Sequence, residues 1–230
     1  MSSAIFDLLK GEIIVSCQAE GDDPFNTPQY ISLFAKAAQM GGAKGIRCEG
    51  INNITVIKEI VNLPIIGLLK DTFENGFVKI TGSFKDVDKL IKIKCDIIAI
   101  DGTFRKREGL TGPDFIKEVK KRYDCIIMAD ISTIEEAIAS VEAGADCIST
   151  TLSGYTPEKQ FNSNHPDFIL MKLLSERISV PFFAEGRIKT PNEAREAIKL
   201  GAHAVIIGTA ITRPRVITSW FVNELNTMKI

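Results

Sequence analysis

Eight short apolar runs punctuate the chain, and each ends on a polar or small residue. Ile13-Ile14-Val15-Ser16-Cys17 runs into Gln18, Lys44-Gly45-Ile46 into Arg47, and Pro64-Ile65-Ile66-Gly67-Leu68-Leu69 into Lys70. Ile97-Ile98-Ala99-Ile100 meets Asp101, and Ile126-Ile127-Met128-Ala129 meets Asp130. Asp146-Cys147-Ile148-Ser149 is followed by Thr150 and Thr151, Pro181-Phe182-Phe183-Ala184 by Glu185, and Ala204-Val205-Ile206-Ile207 by Gly208. Near-continuous apolar runs separated by amphipathic helical stretches read as buried parallel strands. Eight of them in 230 residues predict a (β/α)8 barrel of the α/β class. In such a barrel the chemistry gathers at the C-terminal ends of the strands. Gln18, Arg47, Lys70, Asp101, Asp130, Thr151 and Glu185 are therefore expected to face one pocket.

A recurring phrase supports the same array. Gly42-Ala43-Lys44-Gly45-Ile46, Gly144-Ala145-Asp146-Cys147-Ile148 and Gly201-Ala202-His203-Ala204-Val205 share the pattern G-A-x-x-(I/V), and Lys94-Cys95-Asp96-Ile97-Ile98 is a weaker copy. Each follows an amphipathic stretch. Glycine suits the left-handed residue just past a helix end, and the next strand begins there. Thr190-Pro191-Asn192-Glu193 and Ser132-Thr133-Ile134-Glu135 read as helix starts, as do Thr27-Pro28 and His165-Pro166. Helices are predicted near 28–40, 51–61, 84–93, 112–121, 133–143, 166–177, 190–200 and 214–227. Phe77-Val78-Lys79-Ile80 is expected as an extra strand over the barrel mouth. The long polar connection from Leu152 to His165, with Gly154, Tyr155 and Pro157, has the character of a lid or binding loop. No linker or shift in composition divides the chain, so one domain over 1–230 is expected.

Charge narrows the partners. Lys+Arg total 28 against 29 Asp+Glu, a net charge of −1, without the basic excess of a nucleic-acid binder. The densest basic stretch, Arg105-Lys106-Arg107 with Lys117, Lys120, Lys121 and Arg122 beyond it, is expected as a solvated face. The five cysteines, Cys17, Cys48, Cys95, Cys125 and Cys147, lie in or beside predicted strands without a CxxC spacing. They read as small reduced hydrophobes and point to the cytoplasm. No apolar run approaches ~18 residues and no signal-like N-terminus is seen, so no membrane partner is expected.

Lys70 stands out as a lysine directly after an apolar barrel strand. At its unperturbed pKa of about 10.4 it is a poor base, but desolvation and a nearby cation such as Arg47 would lower that value. A lysine so tuned can take a proton beside a carbonyl or form a Schiff base. Asp101, Asp130 and Glu185 at strand ends can orient hydroxyls, move protons or hold a magnesium ion. For Asp130 a helix cap or a salt bridge is the competing role. Neither His165 nor His203 lies in an HxH or HExxH motif, so no metal site is expected, and neither is placed to serve a serine or cysteine nucleophile. Glu185-Gly186-Arg187 and Gly208-Thr209-Ala210-Ile211-Thr212-Arg213-Pro214 follow the last two strands, where many barrels bind phosphate on backbone N–H groups. Arg213 and Arg187 compete as the charged partner. Phe182 and Phe183 read as core, and Trp220 with Ile217, Phe221 and Leu225 as an apolar stripe that covers the barrel or a second subunit.

These phrases, taken together, resemble the bacterial N-acetylmannosamine-6-phosphate 2-epimerase family. The matching segments are Ile14-Val15-Ser16-Cys17-Gln18-Ala19, Gly41-Gly42-Ala43 with Gly45-Ile46-Arg47, and Leu63-Pro64-Ile65-Ile66-Gly67 leading to Lys70. Met128-Ala129-Asp130-Ile131-Ser132-Thr133, the run from Ser149 to Thr156, Ala184-Glu185-Gly186-Arg187-Ile188 and the run from Gly208 to Pro214 complete the set. They span 14–214 in order. The resemblance implies a phosphate-binding barrel that interconverts N-acetylmannosamine 6-phosphate and N-acetylglucosamine 6-phosphate in amino-sugar (sialic acid) catabolism, with no cofactor. It makes Lys70 the base and puts Gln18, Arg47, Asp130 and Glu185 around the sugar, with Gly186, Arg187, Gly208 and Thr209 at the phosphate. Thr151 and Tyr155 join as substrate contacts. It also implies a homodimer in which the helix 214–227 takes part. Two departures are visible: Gly208-Thr209 where many members have two glycines, and Asp22-Asp23-Pro24-Phe25 where Asp-Glu-Pro-Leu is usual. The alternatives are another sugar-phosphate barrel enzyme, such as an aldolase, decarboxylase or different epimerase, and a silent barrel that senses a sugar phosphate.

Overall fold

The structure, a computed structural model, describes residues 2–160 and 164–228. Among the described residues the strands are β1 (Ile13–Cys17), β2 (Gly45–Glu49), β3 (Ile65–Leu68), β4 (Lys70–Thr72), β5 (Val78–Ile80), β6 (Ile97–Asp101), β7 (Ile127–Asp130), β8 (Cys147–Ser149), β9 (Phe182–Glu185) and β10 (Ala204–Ile207). The helices are α1 (Ser2–Leu9), α2 (Pro28–Met40), α3 (Ile51–Ile60), α4 (Phe84–Lys92), α5 (Gly112–Arg122), α6 (Ile134–Glu142), α7 (Phe168–Arg177), α8 (Pro191–Lys199), α9 (Thr209–Thr212) and α10 (Pro214–Thr227). Eight strands close into a parallel barrel in the order β1-β2-β3-β6-β7-β8-β9-β10, and β10 pairs back onto β1. The eight strands of this (β/α)8 barrel are the eight apolar runs.

The two-residue alternation of a strand decides which side chains face inward. Ile14, Ile66, Leu68, Ile97, Ala99, Met128, Cys147, Phe183, Ala204 and Ile206 pack together as the barrel interior. Their neighbours Val15, Ile46, Ile65, Ile98, Ile127, Ile148, Phe182 and Val205 pack in a second cluster with the apolar faces of the helices. Extending the inward parity by two residues at the C-terminal rim reaches Arg47, Lys70, Asp101, Asp130, Ser149, Glu185 and Gly208, and one further step beyond Ser149 reaches Thr151. The polar rim thus follows from the pleat of an apolar barrel.

The repeated phrase is one backbone device used four times. Gly42, Gly144 and Gly201 have φ of 95°, 100° and 96°, and Lys94 takes the same left-handed form at 56°. The following N–H groups, of Ala43, Cys95, Ala145 and Ala202, donate five residues back to Ala38, Leu90, Ser140 and Ala197. That is the Schellman closure of a helix, and it launches the next strand at once. Helix starts are equally local. Thr133 with Glu136, and Thr190 with Glu193, form capping boxes. The start expected at His165-Pro166 lies slightly later, with Asp167 as the cap of α7.

Two features were not expected. Helix α1 plugs the N-terminal end of the barrel: Leu9, Ile5 and Phe6 join the interior cluster, and His203 Nε2 lies 2.7 Å from the Phe6 carbonyl. The strand expected at 77–80 is half of a hairpin. Its partner β4 begins at Lys70, which lies opposite Ile80. Thr81 closes the hairpin base at φ 46°, accepting from Leu69 N–H on its hydroxyl at 3.2 Å and donating its own N–H to the Leu69 carbonyl at 2.7 Å. A β-branched residue at positive φ is strained, and here the strain fixes the residue before Lys70.

Candidate active site

A cavity of about 650 Å³ opens at the C-terminal ends of the strands. Gln18, Arg47, Lys70, Thr151, Tyr155, Glu185, Gly186, Arg187, Gly208, Thr209 and Arg213 line it. Ser16, Glu20, Asn164, Lys189 and Trp220 line it as well, and none of these five was singled out for the site from sequence. Asp101 and Asp130 are fully buried and do not reach its surface.

At the cavity floor lies an ionic cluster built from three strands. Arg47 from β2 spans the interior to β7 and grips Asp130 with both ends of its fork, Nη1–Oδ1 at 3.2 Å and Nη2–Oδ2 at 2.6 Å. Its Nε stands 3.3 Å from Glu185 Oε2 but makes no hydrogen bond. Thr151 donates to Glu185 Oε2 at 2.6 Å, with Asp130 Oδ1 at 3.1 Å, and Ser149 lies 2.7 Å from the Thr151 hydroxyl. Burial disfavours the Arg47 cation, yet Asp130 and Glu185 outweigh it and hold the guanidinium protonated above its ordinary range. Burial lifts the Asp130 carboxyl above its ordinary value while Arg47 pulls it back. Asp130 therefore touches Arg47 and Thr151 rather than the cavity, because the shorter carboxylate ends below the guanidinium that covers it.

Lys70 does not lean on Arg47. Its Nζ donates to Glu20 Oε1 at 2.5 Å, and the other oxygen, Oε2, receives Arg213 Nη2 at 2.6 Å. Burial would raise the Glu20 carboxyl, but Lys70 and Arg213 outweigh it and hold it at about 2. Glu20 thus stays charged, and keeps both ion pairs, down to a pH well below its ordinary value of 4.5, and loses them as pH falls toward about 2. In the closed strand order β3 and β9 are four strands apart in either direction. Lys70, just beyond β3, and Glu185, at the end of β9, consequently face each other across the mouth.

The turns after β9 and β10 form the other end of the cavity. Gly186 and Arg187 both have positive φ, 103° and 59°. The Arg187 guanidinium donates to the Ser153 carbonyl at 2.7 Å and the His165 carbonyl at 2.9 Å, and it lies 5.4 Å from the Tyr155 ring. Those bonds tie down both ends of the 152–165 connection. Arg213 extends instead along the cavity wall. Trp220 of α10 borders the same end, with Lys189 Nζ 4.9 Å from its ring. Gln18 donates to Ser16 Oγ at 2.6 Å.

Asp101 and the basic stretch after it correct two expectations together. Arg105 Nη2 reaches Asp101 Oδ2 at 2.9 Å, and Arg107 Nη2 reaches Oδ1 at 2.9 Å. Both guanidinium groups are nearly buried, so these two arginines leave the expected solvated face, while Lys106, Lys117, Lys121 and Arg122 are exposed as expected. A carboxylate sealed at a strand end needs paired charge, and the loop folds back to supply it. Arg105 also stacks over Phe73 of the hairpin loop, 4.4 Å from the ring centre, and so anchors the ribbon that carries Lys70. No group of three or more His, Cys, Asp or Glu among the described residues is arranged to hold a metal ion.

Comparison with known proteins identifies the family. A family model described as "Putative N-acetylmannosamine-6-phosphate epimerase" matches residues 31–227. A "Putative N-acetylmannosamine-6-phosphate 2-epimerase" of Caldanaerobacter subterraneus is 46% identical over 224 residues, covering 96% of this chain and 94% of that one. A protein of the same description from Clostridium perfringens is 44% identical over 222 residues, covering 96% of this chain and all of the relative. A solved structure of the N-acetylmannosamine-6-phosphate 2-epimerase from Clostridium perfringens superposes with a TM-score of 0.89 at 43% identity, over 95% of each chain. Matched over nearly its whole length, the chain belongs to the N-acetylmannosamine-6-phosphate epimerase family.

Proposed function

We propose that this protein interconverts N-acetylmannosamine 6-phosphate and N-acetylglucosamine 6-phosphate by moving the proton on C2. Family membership supports the substrate, and the observation that carries the chemistry is the placement of Lys70 and Glu185 on opposite sides of one cavity. C2 of the open-chain sugar lies beside the aldehyde. Lys70, as the base in its neutral amine form, takes that proton, becomes the ammonium and leaves an enolate. A proton returned to the opposite face inverts C2. The step is a proton transfer without net oxidation, so it calls for no redox cofactor.

Arg47 serves the enolate oxygen in this reading. Its guanidinium lines the cavity and is held protonated by Asp130 and Glu185, a fixed cation for the charge that develops there. Asp130 holds the guanidinium in place. Glu185, fixed by Thr151 and Ser149, assists ring opening, and Gln18 and Tyr155 contact the sugar. Backbone groups of Gly186, Arg187, Gly208 and Thr209, with the Arg213 side chain, hold the 6-phosphate. Residues 1–230 act as one barrel domain in the cytoplasm. The same reading includes a homodimer through α10, supported by its exposed Phe221, Val222 and Leu225 and by the lack of any buried residue on that helix. No helix among the described residues is long and apolar enough to cross a membrane.

Proton exchange tests the reaction. In D2O the purified protein is expected to exchange the C2 hydrogen of N-acetylmannosamine 6-phosphate for solvent deuterium while forming the epimer. Binding without exchange would mark a sugar-phosphate sensor instead. A Lys70 adduct trapped by borohydride would mark an aldolase-type Schiff base.

A further inference from the structure

Glu20 has no part in the mechanism above, yet it touches both ends of it. Its two oxygens are used separately: Oε1 takes the Lys70 ammonium and Oε2 takes the Arg213 guanidinium. The three side chains come from different places in the barrel. Glu20 follows β1, Lys70 opens the hairpin after β3, and Arg213 joins α9 to α10. We propose that Glu20 is a positioning residue that sets the reach between the phosphate-binding Arg213 and the proton-transferring Lys70. The inference rests on the roles just given to those two residues.

Three physical points carry it. Lys70 and Arg213 are long, flexible cations lining one cavity, and without a shared counter-ion they repel and lose a common reference. A carboxylate has two acceptor oxygens and can hold both at once, whereas an amide offers one acceptor and one donor group. Engaging Nη2 of Arg213 also leaves its remaining N–H donors for a phosphate. Glu20 is half exposed, and ion pairs in that setting add little to folding. Its loss should therefore appear in kinetics rather than in stability. Binding energy at the phosphate end raises turnover only when it orients the reacting carbon against the base. Glu20 is the direct link between the two.

Four variants test this: Glu20→Ala, Glu20→Gln, Glu20→Asp and Arg213→Ala. Turnover and inhibition by inorganic phosphate are read together, with a thermal melt to check the fold. Glu20→Ala is expected to lower kcat by about 10²-fold, the order expected for a misplaced reacting group. The same change should tighten inorganic phosphate several-fold, because Arg213 no longer has a competing carboxylate. Glu20→Gln should behave like Glu20→Ala, since its NH2 cannot accept from a guanidinium. Glu20→Asp, with both acceptors kept, should recover much of kcat and return phosphate inhibition toward wild type. A purely structural role would not move kcat and phosphate affinity in opposite directions. Arg213→Ala should raise KM for the sugar phosphate. If it does, and the Glu20 variants leave kcat and phosphate inhibition unchanged, the inference about Glu20 is overturned on its own. If Arg213→Ala leaves KM unchanged, the phosphate reading falls and takes this inference with it.

Discussion

Replacing Lys70 by Ala is expected to remove epimerisation and C2 proton exchange together, by ~10²–10⁴-fold, and to leave the barrel folded. The fold should survive because Lys70 contributes to no apolar cluster, and its ion pair with Glu20 is open to solvent. Exchange is the more telling readout, since it needs only removal of the proton and not its return to the other face. More than about a tenth of wild-type activity in this variant would sink the assignment. The opposed placement of Glu185 makes a companion variant informative. If Lys70 serves both faces, Glu185→Gln slows exchange and epimerisation in step. If Glu185 is the second proton donor, the same change stops inversion while exchange from one epimer continues.

Asp130→Ala should act in the other direction, on the fold before the chemistry. Removing one partner of a buried, bidentate pair strands a charge in the interior and costs ~3–5 kcal/mol. Arg47 is 1% exposed and would keep, as its one charged partner, Glu185, to which its Nε makes no hydrogen bond, with a weak contact to the Met128 sulfur. Urea unfolding should show this loss directly. Replacing both partners with apolar residues, Arg47→Met with Asp130→Leu, should regain most of the stability, since well-packed hydrophobic side chains commonly match a buried pair. That double variant should nevertheless be inactive, having lost the donor for the enolate. An Asp130→Ala protein within about 1 kcal/mol of wild type, or an active double variant, would contradict the role given to the cluster.

Much of this site was legible because a barrel strand has only two faces. Once Ile66 and Leu68 are inward, Lys70 follows by parity, and the same count reaches Arg47, Asp130 and Glu185. Parity does not say how deep a side chain stops. Asp130 and Asp101 share an inward register with Glu185, but each meets an arginine before it meets the cavity. The guanidinium groups that claim Asp101 come from Arg105 and Arg107, in a stretch whose composition is that of a solvated face. The two arginines at four and six residues beyond a strand-end aspartate were the available signal. Glu20 was hidden differently. It stands in the polar run Glu20-Gly21-Asp22-Asp23, where neither periodicity nor spacing separates a site residue from a turn. Helix α1 was missed because a segment this short has little helical tendency alone. It is held by Phe6 and Leu9 packing beneath the barrel, a tertiary cause.

The arrangement at the edge of α10 also makes the protein its own reporter. The chain has a single tryptophan, Trp220, and it borders the end of the cavity formed by the turns after β9 and β10, beside the Lys189 ammonium. Its emission is therefore the signal of one defined place, sensitive to any anion that draws Lys189 away from the indole. Titration with sugar phosphate should shift or quench that emission along a saturable curve and yield a binding constant without label or coupling enzyme. A spectrum unchanged at saturation would mean that the bound sugar lies clear of α10.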